Sequence, residues 1–123
     1  MPKQLEPVSL NVDMPTIMAY ADLTDDYNPI HVDRQFAEKT EMKGIIADGT
    51  MSLNMIWRSL RQTLGNDAVA GTRIDIRFVR PVRENDIVTG GGVERDDAPG
   101  TYDVWVRNQK DEPVITGTAT VSQ

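Results

Sequence analysis

The sequence predicts an α+β fold in which one long apolar helix packs on an antiparallel sheet of about five strands. Two observations carry this. Residues 50–64, "TMSLNMIWRSLRQTL", place Leu53, Ile56, Trp57, Leu60 and Leu64 at helical spacing. From residue 68 onward the apolar period falls to two, in short runs separated by Gly, Pro, Asn and Asp.

Each element has its own signal. Residues 5–11 read as a short first strand. Asp13 is an N-cap and Pro15 suits the first turn of the helix that follows. In that helix, "TIMAYADL", Ile17, Ala21 and Leu23 fall on one side. Residues 24–31, rich in Asp, Asn and Pro, read as a turn. Asp33 caps a second short helix, "RQFAEKT". "MKGIIADG" is a connector leading to the long helix, whose other side carries Arg58, Arg61 and Gln62 and which stops at Gly65. Met51 and Met55 widen its apolar face, so the helix is expected to be largely buried. "TRIDIRFVRPV" sets Ile74, Ile76 and Phe78 against Arg73, Asp75 and Arg77. "DIVTGGGVE", "TYDVWVRNQ" and "VITGTATV" complete the strands, with Tyr102, Val104 and Val106 on one face and "NQKDEP" as a hairpin loop.

The 123 residues fit one domain spanning 1–123, with one core. Apolar residues make up 39% and charged residues 26%, the balance of a globular chain. The absence of cysteine removes disulfides, thiolate metal sites and thiol nucleophiles, and suits a reducing compartment. The start, "MPKQLEPVSLNVD", has no apolar core of a signal peptide, and no apolar run nears the ~20 residues that cross a bilayer. The cytoplasm is therefore the expected location, with no membrane partner. A net charge of −6 repels phosphate backbones, and no basic run offsets it, so nucleic acid is not an expected partner.

The chemistry concentrates in "DLTDDYNPIHVDRQF", which holds the one histidine of the chain, His31, five residues after Asp26. Imidazole exchanges protons near neutrality, and a neighbouring carboxylate orients it or favours its charged form. Pro29 pre-orders the segment, and Asn28 has a side chain suited to holding backbone or partner groups. The same residues also serve as an Asx-rich lead into a capped helix. A metal is not expected, because no second histidine exists to complete a nitrogen ligand set. Ser52 and Ser59 lie inside the helix pattern, without the strand–turn–helix context of a serine nucleophile. Gly49 stands at the start of the long helix, where free N–H groups and the positive dipole end can meet a developing oxyanion. Its plainer reading is a turn glycine, with Asp48 or Thr50 as the helix cap.

"DYNPIHVDRQFA", with Gly49 eighteen residues after His31, resembles the MaoC-like, R-specific enoyl-CoA hydratases of the hotdog fold. "IRFVRPVRENDIV" is similar to that family's strand and turn, and "VRNQKDEPVITGTATV" to its closing hairpin. The resemblance implies a bent antiparallel sheet wrapped around the long helix, and a homodimer or higher homo-oligomer. It implies hydration of a trans-2-enoyl thioester, on CoA or an acyl carrier, or the reverse dehydration, with no metal or redox cofactor. By position, Asp26 and His31 would be the catalytic pair sharing one water, Asn28 would support them, and the Gly49 N–H would hold the thioester oxygen. Many members of that family read His-Gly where this chain reads Asp48-Gly49. Asp48 is accordingly expected to cap the helix through the N–H of Thr50 or Met51, or to point out of the pocket. A hotdog thioesterase and a non-catalytic acyl-thioester-binding subunit are the alternatives.

Overall fold

The computed structural model describes residues 3–121. Five strands form one antiparallel sheet: β1 (Gln4–Val12), β2 (Arg73–Phe78), β3 (Asp86–Glu94), β4 (Thr101–Arg107) and β5 (Pro113–Thr120), ordered β1-β3-β4-β5-β2. Before the sheet is complete the chain lays down α1 (Met14–Thr24), α2 (Pro29–Val32), α3 (Arg34–Glu38) and α4 (Gly49–Leu64), with the single turn α5 (Asn66–Val69) after it. α4 packs on β1, β3 and β4, and the bent sheet wraps it in a hotdog arrangement.

The strand faces follow the alternation. Tyr102, Val104 and Val106 are buried, while Trp105 lies on the other face with the Arg107 guanidinium 4.5 Å from its ring centroid. β1 shifts register against β3 between Leu5 and Val8, at Pro7, which has no N–H to give to the ladder. Asp13 caps α1 by accepting from the Thr16 N–H at 2.9 Å, and Asp33 caps α3 by accepting from the Phe36 N–H at 3.1 Å.

Three readings of the sequence change. α4 is the longest helix but is not largely buried: its fully covered stripe is Met51, Ser52, Met55, Ile56, Ser59 and Leu60, whereas Leu53, Trp57 and Leu64 are half-buried. The cause is a close approach to the sheet. A Cβ built on Gly90 of β3 would lie 2.7 Å from the Met55 backbone, so small side chains suit the centre of the contact. Ser59 faces the sheet and donates to the Glu6 carbonyl of β1, while the buried Ser52 hydroxyl has no hydrogen-bond partner. Leu23 is 79% exposed rather than part of the core, because a step of two residues from Ala21 carries it to the side of α1 away from the buried Ile17 and Ala21. The expected turn at 24–31 is partly helical: α1 runs through Thr24, and Asn28 caps the one-turn α2 by accepting from the Ile30 N–H at 3.2 Å.

Candidate active site

The segment between α1 and α4 folds over the N-terminal end of α4. Asp25 takes a left-handed conformation (φ 54°) at the end of α1, and the Asp26 N–H then returns to the Ala21 carbonyl at 3.1 Å. The Asp26 carboxylate accepts from the Asn28 N–H at 3.2 Å, and the His31 N–H donates to the Asn28 carbonyl at 2.9 Å. Asn28 thus sits between the two groups in the backbone path and fixes the pitch of α2.

His31 is held from the other side by the connector. The Ile46 carbonyl lies 2.7 Å from His31 Nδ1. A carbonyl only accepts, so Nδ1 carries the proton, and a neutral ring then leaves a lone pair on Nε2. The connector is itself tied down: the Ile46 N–H donates to Ile30 at 3.2 Å, and the Ala47 N–H donates to Val82 at 2.8 Å. Arg34 of α3 forms a two-pronged ion pair with Glu84, with Nη2 to Oε2 at 2.6 Å, and so ties this layer to the β2–β3 loop.

Asp26, His31 and Asp48 converge, each offering a carboxylate oxygen or ring nitrogen within 4.8 Å of the others. The space between them is closed by Ile17, Tyr20, Ala21 and Thr24 of α1 and Met51 of α4. It leaves ≈ 10 Å³ open to water centres, room for about one molecule. Tyr20 and Met51 also border an apolar groove of ≈ 270 Å³ that runs past Ala19, Leu23 and Met55. Of the Met51, Met55 and Trp57 side chains, only the two methionines line it.

Asp48 is the N-cap of α4: its Oδ1 accepts from the Thr50 N–H at 3.0 Å and from the Thr50 hydroxyl at 2.8 Å. The cap is the one expected, but the side chain does not leave the cavity. Burial pushes the Asp48 carboxyl up. The two Thr50 donors, the nearby His31 and the contact with Asp26 outweigh it, and the group lies below its ordinary 3.8. Its contribution to stability is therefore full above pH 3.8 and is lost as pH falls through the lower folded value.

Gly49 is the first residue of α4, and its N–H finds no acceptor among the described residues. A Cβ there would meet the Phe78 ring at 2.9 Å, so glycine lets that ring lie directly against the start of the helix. Gly49 lines the neighbouring depression with Phe78, Val79 and Pro81 rather than the Asp26–His31 cavity. The sequence marks neither Tyr20 as part of this wall nor that Asp48 stays in the cavity while it caps α4, because both depend on where the connector lays the start of α4 against α1. His31, Asp26 and Asp48 are also a donor set of metal-ligand type, one nitrogen and two carboxylates.

A family model described as "MaoC like domain" matches residues 2–113. The chain belongs to the MaoC-like family. Among solved structures, this MaoC-like chain is similar to an (R)-hydratase from A. caviae involved in PHA biosynthesis, at 26% identity, covering 98% of this chain and 93% of that one, with a TM-score of 0.80. It is also similar to a monoamine oxidase regulatory protein from Archaeoglobus fulgius, at 30% identity over 98% and 88% of the two chains, with a TM-score of 0.76. The ChsH1-ChsH2 complex from Mycobacterium tuberculosis shares the fold, at 23% identity over 98% and 95%, with a TM-score of 0.80. No curated protein matches the chain. Among the described residues, no helix is long and apolar enough to cross a membrane.

Proposed function

We propose that this MaoC-like protein adds water across the double bond of a trans-2-enoyl thioester, or runs the reverse dehydration, in the cytoplasm. The observation that carries the reading is the one-water cavity between Asp26 and His31. The water sits against carbon 3. His31 Nε2, bare because Nδ1 donates to Ile46, takes one of its protons while the oxygen bonds to carbon 3. The electrons of the double bond pass toward the thioester oxygen, carbon 2 takes up a proton from the same pair, and a 3-hydroxyacyl thioester results. Asp26 supplies the negative charge that balances the imidazolium, and Asn28 holds both through the α2 cap. The Gly49 N–H, at the positive end of α4, is the donor to the thioester oxygen. The carbonyl then lies toward the Phe78 depression, and the acyl chain toward the apolar groove. No metal or redox cofactor takes part.

The working unit in this reading is a symmetric homodimer or higher homo-oligomer. β2 is an open sheet edge, with Phe78 54% exposed at its end. Antiparallel pairing of two β2 strands centred on Ile76 sets Asp75 opposite Arg77 twice and Ile74 opposite Phe78, so charges and apolar side chains both find complements. Light scattering on the purified protein is expected to give a dimer or larger species. A monomer active at micromolar concentration contradicts this assembly.

A panel of enoyl thioesters on CoA, of increasing chain length, tests the reaction itself. Loss of the conjugated chromophore with the thioester intact supports hydration. Release of free thiol supports a thioesterase, and tight binding without any turnover supports an acyl-thioester-binding subunit.

A further inference from the structure

We propose that Asp48 is a positioning residue for the reacting water, gripping it from beside the Asp26–His31 pair. This inference rests on the hydration reading above.

The geometry is that of a braced acceptor. Thr50 donates to Asp48 Oδ1 through both its N–H (3.0 Å) and its hydroxyl (2.8 Å). The Thr50 hydroxyl has then spent its proton, so the Tyr20 hydroxyl, 2.7 Å away, donates to it. Tyr20 of α1, Thr50 of α4 and the Asp48 carboxylate thus form one directed chain that locks the carboxylate rotamer. Oδ2 receives no N–H or O–H from the protein among the described residues. The carboxylate nonetheless lines the one-water cavity, within 4.8 Å of both an Asp26 oxygen and a His31 nitrogen.

Two acceptors bridged by one water at hydrogen-bond distance stand ~4.5 Å apart, given the angle between its two O–H bonds. The limit of 4.8 Å between the Asp48 oxygen and the His31 nitrogen accommodates that spacing. The water gives one hydrogen to Asp48 and the other to His31, and one of its two lone pairs points at carbon 3. The donors on Asp48 also hold it ionised and weakly basic, so it accepts a hydrogen bond without taking the proton. A helix cap alone needs none of this, because a cap that only served α4 would not have to face the pair.

Asp48→Asn separates the two roles. Asn caps helices as well as Asp does, so the fold and the melting temperature should hold. Its amide cannot offer two acceptor oxygens, and the turned-in group becomes a donor facing the water. On a short trans-2-enoyl-CoA, kcat is expected to fall ~10²-fold, with KM within about threefold of wild type, because binding is intact and only the water is misplaced. Asp48→Ser, which also caps but lacks the second oxygen, should show the same split. Wild-type kcat in Asp48→Asn, or a kcat loss that merely tracks a lower melting temperature in both variants, overturns the assignment while leaving the hydration reading in place. A wild-type protein that hydrates none of the enoyl thioesters overturns both.

Discussion

Replacing His31 with Ala, or Asp26 with Asn, lowers hydration turnover at least ~10²-fold while the protein stays folded. The reason lies in how the two groups are held. The His31 ring is pinned by the Ile46 carbonyl at Nδ1, which commits Nε2 to the cavity. No other histidine exists to substitute for it. Asp26→Asn keeps the size of the side chain and an oxygen for the Asn28 N–H, so the α1–α2 junction survives. What it removes is the negative charge that stabilises imidazolium as the water gives up its proton. Both residues are only half-buried, so neither change opens a core cavity. Turnover and melting temperature measured on the same preparations check the point: lost activity with an unchanged melting temperature is expected, and near-normal hydration in either variant removes the mechanism.

A large effect on stability is expected at Gly90. β3 runs directly beneath α4, and a Cβ at Gly90 would lie 2.7 Å from the carbonyl carbon, the carbonyl oxygen and the Cβ of Met55. Two of these are backbone atoms that no rotamer change can move. Gly90→Ala must lift α4 from the sheet, which costs ~1–3 kcal/mol as overpacking and lowers the melting temperature by roughly 5–15 °C. Gly91 is the control. Its Cβ would point to the other face and meet Trp105 Nε1 at 3.4 Å, an ordinary contact. Gly91→Ala should leave the melting temperature unchanged or raise it slightly, since alanine restricts the unfolded chain. Thermal denaturation of the two variants side by side decides whether the close helix–sheet contact limits stability.

Periodicity made the layout readable, because α4 and the later strands each present an unbroken pattern. It placed the face of α4 less well. Ser52 and Ser59 are polar by type, yet they occupy the buried stripe because they are small, and only the Gly90 contact reveals that small size is needed there. Leu23 is apolar but stands two residues from Ala21, off the buried side of α1, where it borders the apolar groove instead. The one-turn α2 was hidden in a segment whose composition favours turns, although its Asn28 cap and Pro29 start are helix signals as well. Asp26 and His31 were legible as a pair since a single short segment carries both. Asp48 reaches them only because the connector is bonded to Ile30 on one side and to Val82 on the other, a tertiary path that no local pattern encodes.

Mass spectrometry of a short trans-2-enoyl-CoA incubated with the purified protein tests the central claim most directly. The account predicts a product heavier by one water, with the thioester intact, formed by the wild-type protein and not by the His31→Ala variant. Free CoA with a released acid, or an equal yield of hydrated product from His31→Ala, would contradict it.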